Sequence, residues 1–281
     1  MGAPPPPHVR AAFGVRADAE LTPLAGALEQ TAWRAGDVVL KPVQEANPGE
    51  ADWVAGVLDA IEENGFRVIK PVRSVEGTWL EHGWTAWCWF DGHHERARWH
   101  DVVAATDAFH AAVPKAIAQA GVAPRPDWLD RRGHRWARAE ATVWHGERLP
   151  PTVNHGAVEW RLYERATAVG PPLTDDARAT SIVVHGDIAS NVLRLADAST
   201  HAFIDMSPGW RPAASTRAQI AVEAVTWFGA PVDLLEEFPR EDIARASAFR
   251  LLCGLQASPD WAADFPGEIE AWTRAIEAIG A

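Results

Sequence analysis

Three side chains with oxygen donors lie close together in the sequence, around two apolar segments that should form a hairpin. Asp187 comes four residues before Asn191, and Asn191 directly precedes the apolar segment 192–195. A second apolar segment, 201–204, follows a turn-like stretch and leads directly into Asp205. Because such segments pair as antiparallel strands, Asn191 and Asp205 should lie at the same end of the hairpin.

This group of oxygens is suited to a magnesium ion and a nucleotide. Carboxylate and amide oxygens are hard ligands that Mg²⁺ accepts, usually together with phosphate oxygens. Phosphoryl transfer needs a metal that neutralises charge on the phosphates, and a carboxylate that accepts a proton from the attacking hydroxyl or orients it. The pattern therefore indicates phosphoryl transfer, with Asp187, Asn191 and Asp205 as the candidate residues.

The N-terminal half supplies a lysine on a strand and a glutamate on a helix, which a kinase uses to contact the phosphates and to hold that lysine. Lys41 ends an apolar strand pattern, and Glu50 begins a helical pattern. Lys70 has a similar context, but only Lys41 is preceded by a loop containing Gly26 and followed by that helix. We predict that Lys41 reaches the phosphates and that Lys70 caps a strand in solvent.

Glu50 has a competing structural interpretation. Asn47 and Glu50 have the spacing of a capping box, in which the glutamate returns to the cap residue, and Pro48 would occupy the first helical position. Glu50 also starts the apolar face of the helix, because the large apolar residues follow it at helical spacing. We favour an ion pair between Glu50 and Lys41, and Glu45 is the other candidate for that role.

The order of predicted elements indicates an α+β fold with two lobes. Strands on either side of a turn at Gly36, and short strands up to residue 90, form a small antiparallel sheet with one helix. The chain beyond residue 95 is mainly α-helical. The stretch Asp91-Gly-His-His breaks the strand pattern, which gives an N-terminal nucleotide-binding lobe of residues 1–90 and a C-terminal lobe of residues 91–281 with the catalytic loop and acceptor site.

The same residues carry a resemblance to a known family. His-Gly-Asp at 185–187, Asn191 after a short loop, and an Ile-Asp pair ending at Asp205 resemble the signature of the aminoglycoside phosphotransferase and small-molecule kinase superfamily. The resemblance extends in order over most of the chain, and it looks most similar to an actinobacterial branch. It implies a protein-kinase-like fold with Asp187 as catalytic base, Asn191 and Asp205 as Mg²⁺ ligands, and His185 as a brace for the loop.

We therefore expect an ATP-dependent kinase that transfers the γ-phosphate to a hydroxyl of a small molecule. The acceptor would be an amino sugar, another sugar or an aminoglycoside-like antibiotic, with Lys41 and Glu50 binding the nucleotide. A catalytically weak, nucleotide-binding regulator is the main alternative. A metallohydrolase that uses His185, Asp187, His93 and His94 is less favoured, because the adjacent His93 and His94 lack ligand spacing. A protein kinase is disfavoured because no recognisable activation segment follows Asp205.

Composition excludes several other classes. The chain has 26 basic and 38 acidic residues, a formal net charge of −12, which repels a nucleic-acid backbone and mildly favours cationic ligands. The only cysteines, Cys88 and Cys253, lie in apolar stretches, which indicates a reducing compartment without a disulfide framework. We find neither a signal-peptide pattern nor a run approaching the roughly 18 apolar residues of a membrane span. We expect a cytoplasmic protein that binds neither nucleic acid nor membrane.

Overall fold

A computed structural model of the chain describes residues 2–24, 32–43, 49–150, 153–196, 200–257 and 266–280. The chain packs into two compact units, neither of them continuous in sequence. Unit 1 takes its residues from 1–94, 111–131 and 191–206, and unit 2 from 95–110, 132–190 and 207–281. The lobes expected at 1–90 and 91–281 stay a prediction. Two later segments, 111–131 and 191–206, belong to the same unit as the N-terminal residues.

Unit 1 contains an antiparallel sheet with the order β1-β2-β3-β7-β5, in which β6 also pairs with β7. Its strands are β1 (Thr22–Leu24), β2 (Ala32–Ala35), β3 (Val38–Pro42), β5 (Pro71–Val72), β6 (Leu80–Glu81) and β7 (Trp84–Cys88). Gly36, at a φ of 64°, turns β2 into β3 in a left-handed conformation that glycine adopts without steric cost. The predicted antiparallel sheet is confirmed, whereas the loop around Gly26 lies outside the described residues.

A second sheet of unit 1 contains the predicted hairpin and has the order β4-β11-β10-β8. Its strands are β4 (Arg67–Val68), β8 (Gly92–His94), β10 (Val192–Leu195) and β11 (His201–Phe203). Strands β10 and β11 pair antiparallel, as predicted. The prediction that the strand pattern breaks at 91–94 is wrong, because β8 pairs with β10. Gly92 permits this close approach, since a Cβ there would lie 2.8 Å from the carbonyl oxygen of Arg194.

The first two helices of unit 1 pack around these strands. Helix α1 (Pro7–Ala12) contributes Val9 to a core cluster that also contains Leu40 of β3. Phe13, directly after the helix, belongs to the same cluster. Helix α2 (Glu50–Ala60) buries the apolar face that the sequence predicts, and it begins after Gly49, whose φ is 89°. The predicted cap residues Asn47 and Pro48 lie outside the described residues.

Lys70 closes the C-terminal end of α2. Its Nζ donates hydrogen bonds to the carbonyl oxygens of Leu58 at 2.8 Å, Asp59 at 3.3 Å and Ile61 at 3.0 Å. The last carbonyls of a helix have no partner within the helix and carry partial negative charge, so a cation there is favourable. Burial lowers the pKa of Lys70. The prediction that Lys70 caps a strand in solvent is therefore wrong.

Unit 2 is built mainly from helices and one pair of strands. The other helices among the described residues are α3 (Trp99–Ala120), α4 (Trp128–Arg131), α5 (Arg135–His145), α6 (Val158–Val169), α7 (Asp175–Ala179), α8 (Ser215–Phe228), α9 (Arg240–Ala257) and α10 (Pro266–Ala278), with a 3₁₀ helix at Val232–Glu237. Helix α4 and the C-terminal half of α3 belong to unit 1. Strands β9 (Ile182–His185) and β12 (Pro208–Arg211) pair antiparallel, and β12 was not predicted. Across the described residues, every helix is too short or too polar to cross a membrane.

Candidate active site

In unit 1, strand β3 and the β10–β11 hairpin bring Lys41 and Asp205 together. Leu40 is fully buried beside α1, so the alternation of side chains along β3 directs Lys41 to the other face of the sheet. The Lys41 ammonium group forms an ion pair with Oδ1 of Asp205. The two side chains remain 30% and 49% exposed, which leaves both accessible to a solute.

Asn191 lies at the same end of the hairpin as Asp205. Val192 is opposite Phe203 in the strand register, and the Ile204 N–H donates to the carbonyl oxygen of Asn191 at 2.9 Å. Asp205 has a φ of 52°, a left-handed conformation that aspartate adopts more readily than most residues with a side chain. The predicted juxtaposition of Asn191 and Asp205 is therefore confirmed, and Lys41 joins them.

This donor set fits a magnesium ion that is shared with a nucleotide. Mg²⁺ takes oxygen ligands and is usually held by one or two protein side chains, water and phosphate oxygens. Within the described part of the chain, no three His, Cys, Asp or Glu side chains form a group that could hold a metal ion. A magnesium ion beside Asn191 and Asp205 would take its other ligands from phosphate oxygens and water. The same finding leaves the metallohydrolase interpretation without a ligand cluster among those residues.

Glu50, the predicted partner of Lys41, is the first residue of α2 and is half-buried. The structure pairs Lys41 with Asp205, and the ion pair between Lys41 and Glu50 stays a prediction. Glu45, the other candidate, lies outside the described residues.

In unit 2, the loop that carries Asp187 is fixed to strands β9 and β12. His185 is fully buried, and its Nδ1 accepts a hydrogen bond from the Asp187 N–H at 3.2 Å. The neighbouring N–H of Gly186 donates to the carbonyl oxygen of Ser207 at 2.6 Å. The contact through Nδ1 gives a physical basis for the bracing role that the resemblance implies for His185.

A second buried histidine supports this loop from α3. Nε2 of His110 accepts a hydrogen bond from the His185 N–H at 3.0 Å, so His110 must be neutral, with its proton on Nδ1. Burial lowers the pKa of His110 to about 3, and the nearby His185 and Arg211 act in the same direction.

His110 should make the stability of the fold depend on pH. Its pKa is about 3 in the folded protein, and the pKa of an unfolded histidine is about 6.5. Below pH 6.5 the unfolded state therefore binds more protons at this histidine than the folded state does. The free energy of unfolding should decrease as the pH falls. Between pH 6.5 and pH 5 the free energy of unfolding should decrease by about 2 kcal/mol from this group.

Urea denaturation at these two pH values measures the effect. His110→Gln offers a side-chain oxygen to the His185 N–H but does not titrate, so it should lose this part of the pH dependence. An unchanged pH dependence in a folded His110→Gln protein would contradict the assignment.

The carboxylate of Asp187 is held by a buried arginine of α9. Nη2 of Arg250 donates to Asp187 Oδ1 at 2.6 Å, and Ser190 Oγ lies 3.4 Å from the same oxygen. Nε of Arg250 also donates to Oε1 of Glu223, on α8, at 2.5 Å. The side chains of Arg250 and Glu223 are 1% and 0% exposed, which makes this a buried cluster.

Gln219 connects this cluster to the backbone of the loop. Its Nε2 donates to the carbonyl oxygen of Gly186 at 2.7 Å and to Glu223 Oε1 at 2.6 Å. Burial raises the pKa of Glu223, and Arg250 opposes that shift. Burial also disfavours the charge on Arg250, but Glu223 and Asp187 outweigh it and raise the pKa of that guanidinium.

The sequence interpretation missed Arg250, Glu223 and Gln219. A pattern that could have revealed two of them is present, because Glu223 and Arg250 each interrupt an apolar helical run. Charged residues are almost never fully buried unless they are paired, so such interruptions point to an internal ion pair. Of the predicted site residues, Lys41, Asn191 and Asp205 meet in unit 1, and Asp187 lies in unit 2.

The chain is similar in structure to several solved phosphotransferases. No protein-family model and no curated protein sequence matches the chain. An aminoglycoside phosphotransferase from Alicyclobacillus acidocaldarius is 16% identical, with 100% of this chain and 97% of that chain covered and a TM-score of 0.56. A spectinomycin phosphotransferase, solved with ADP and spectinomycin, is 13% identical, with 98% and 96% covered and a TM-score of 0.54. The aminoglycoside phosphotransferase APH(4)-Ia is 17% identical, with 93% of each chain covered and a TM-score of 0.50.

These similarities extend along nearly the whole of each chain, and at such low identities they show the fold. The chain has the α+β fold of aminoglycoside phosphotransferase structures. The predicted fold class and the resemblance to aminoglycoside phosphotransferases are both confirmed at the level of the fold. The actinobacterial branch stays a prediction.

Proposed function

We propose that this chain, which shares its fold with aminoglycoside phosphotransferases, transfers the γ-phosphate of ATP to a hydroxyl group of a small molecule. The observation that carries the proposal is the contact between Lys41 and Asp205, beside Asn191. A lysine suited to phosphates and a carboxylate suited to their metal ion are thereby held at one end of a hairpin. Lys41 comes from a distant part of the sequence, whereas Asn191 and Asp205 flank one hairpin, and this placement would serve phosphoryl transfer.

The residues of unit 1 would hold the nucleotide. Bound Mg²⁺ would neutralise charge on the phosphates during transfer. Asn191 and Asp205 would supply oxygen ligands to that ion, and Lys41 would place its ammonium group against phosphate oxygens. Glu50 is proposed to hold Lys41 in this orientation.

Asp187 would act on the acceptor. Its Oδ1 accepts the hydrogen bond from Arg250, and we assign Oδ2 to the acceptor hydroxyl. As the acceptor oxygen bonds to the γ-phosphorus and the bond to the departing ADP oxygen breaks, the hydroxyl proton moves to Asp187. In a loose transition state the proton transfers late, so orientation of the hydroxyl is the larger part of this role.

Amino sugars, other sugars and aminoglycoside-like antibiotics are the proposed acceptors. The net charge of −12 favours the cationic members of this group. The structure of the spectinomycin phosphotransferase with ADP and spectinomycin gives a precedent for a nucleotide and an antibiotic on this fold. Cys88 and Cys253 are free thiols, which suits a reducing compartment, so we place the reaction in the cytoplasm.

Magnesium and ATP together should raise the melting temperature, whereas magnesium alone should do little. A ligand that binds only the folded state stabilises it by about 2.7 kcal/mol at 100 times its Kd. Thermal denaturation with Mg²⁺, ATP, both or neither measures the effect, and Asp205→Asn is the matched control that should lose most of the shift. A well-folded protein without any ATP-dependent shift at millimolar ATP would contradict the proposal.

A further inference from the structure

The arginine that holds Asp187 bridges two carboxylates in the interior of unit 2. Arg250 binds Asp187 through Nη2 and Glu223 through both Nε and Nη2. One guanidinium cation thus lies between two carboxylates, only one of which reaches the loop. Glu223 is fully buried, so loss of the guanidinium would leave an uncompensated charge there, whereas the Asp187 side chain is 28% exposed and can also face a solute.

Aromatic rings fix the plane of this guanidinium. The Cζ atom of Arg250 lies 4.8 Å from the ring centre of Trp136 and 5.0 Å from that of Trp227. Phe249 adds a third ring at 5.2 Å. A guanidinium between aromatic faces has its donors aimed in fixed directions, which the flexible ammonium group of lysine does not.

The cluster is also hydrogen-bonded to the backbone next to Asp187. Gln219 joins Glu223 to the carbonyl oxygen of Gly186, the residue directly before Asp187. Arg211, which is fully buried, donates to Gln219 Oε1 and closes the network on the side of β12. Both the backbone and the carboxylate of Asp187 are therefore held by residues of α8 and α9.

We propose that Arg250 is a positioning residue for phosphoryl transfer. It fixes Oδ1 of Asp187 and thereby directs Oδ2 to the acceptor hydroxyl, while Glu223 keeps the guanidinium in place. This inference rests on the proposed function, because it assigns Arg250 to the step in which Asp187 receives the acceptor proton. A displacement of about 1 Å at a reacting group can cost on the order of 10²-fold in rate.

Replacement of the guanidinium by an ammonium group separates positioning from simple charge. Arg250→Lys keeps the positive charge and loses the fork that joins Asp187 to Glu223. We expect kcat to fall by roughly 10²-fold with little change in the Kd for Mg²⁺ and ATP. Guanidinium chloride at millimolar concentration should restore part of the kcat of Arg250→Ala, and methylammonium chloride should not.

Arg245 provides a matched control on the same helix. It is also largely buried, and its Nη1 donates to Asp242 at 2.5 Å. Arg245→Lys should therefore lower stability without a selective loss of kcat. Glu223→Gln, which keeps the size and an acceptor oxygen of the side chain, should lower kcat about tenfold through a less firmly held Arg250.

Steady-state ADP release by the wild-type protein and the folded variants tests the role of Arg250. The acceptors would be spectinomycin, kanamycin and glucosamine. A selective fall in kcat for Arg250→Lys, or for Glu223→Gln where Arg250→Lys does not fold, supports this role. Wild-type turnover with unchanged kcat in the folded variants, or an equal fall in Arg245→Lys, overturns the inference alone. A wild-type protein that turns over none of the acceptors contradicts the proposed function, and the inference with it.

Discussion

Asp187→Asn should lower turnover by roughly 10²-fold or more, which is about 2.7 kcal/mol of activation free energy, with little change in affinity for ATP. Asparagine keeps the shape of the side chain but removes the proton acceptor. The protein should still fold, because Glu223 continues to balance the charge of Arg250. Turnover and calorimetric ATP affinity, measured on the same folded preparation, test both parts of this expectation.

Asp205→Asn is the matched variant, because it changes the same residue type to the same product at the other carboxylate. It removes negative charge from the proposed metal site, so it should weaken the binding of Mg²⁺ and ATP as well as turnover. If both aspartates served only the turn and the hairpin end, their replacement would lower stability and leave the activity of the folded protein intact. Near-normal turnover of Asp187→Asn on an identified acceptor would show that Asp187 is not the catalytic base.

Lys41→Ala should lower kcat/KM for ATP by roughly 10²-fold, about 2.7 kcal/mol, and Lys70→Ala should have a much smaller effect. Lys41 contacts Asp205, whereas Lys70 is occupied by the carbonyl oxygens at the end of α2. Loss of that cation should lower the free energy of unfolding by about 1 kcal/mol.

The two lysines therefore separate nucleotide binding from stability in one pair of measurements. Kinetics at varied ATP concentration should show the larger loss for Lys41→Ala. Urea denaturation should show the larger loss of stability for Lys70→Ala. Equal effects on ATP use, or a larger effect at Lys70, would show that the wrong lysine has been assigned to the phosphates.

Local patterns predicted the parts of the fold in which neighbouring segments pair. The β10–β11 hairpin follows from two apolar segments around a short turn, and its flanking polar residues necessarily meet at one end. Strand β3 and helix α2 likewise follow from periodicity within one segment. This is why Asn191, Asp205 and the position of Lys41 on a strand could be predicted from the sequence.

Local patterns could not predict contacts between segments that are distant in the sequence. Strand β12 contains Pro208 and Gly209, which are poor strand residues, and pairing with β9 overrides their propensity. Lys70 caps a helix that ends before it, although its sequence context resembles that of Lys41. Arg250 meets Asp187 across 63 residues of chain, a pairing that depends on how α9 packs.

A coupled assay of ADP release tests the central claim most directly. Wild-type protein and Asp187→Asn would be compared with Mg²⁺ and ATP over amino sugars, other sugars, and aminoglycoside and peptide antibiotics. We predict that at least one acceptor raises ADP release by the wild-type protein above its level with ATP alone, and that Asp187→Asn loses this increase while still binding ATP. Binding of ATP without stimulation by any acceptor would contradict the kinase assignment and favour a nucleotide-binding regulator.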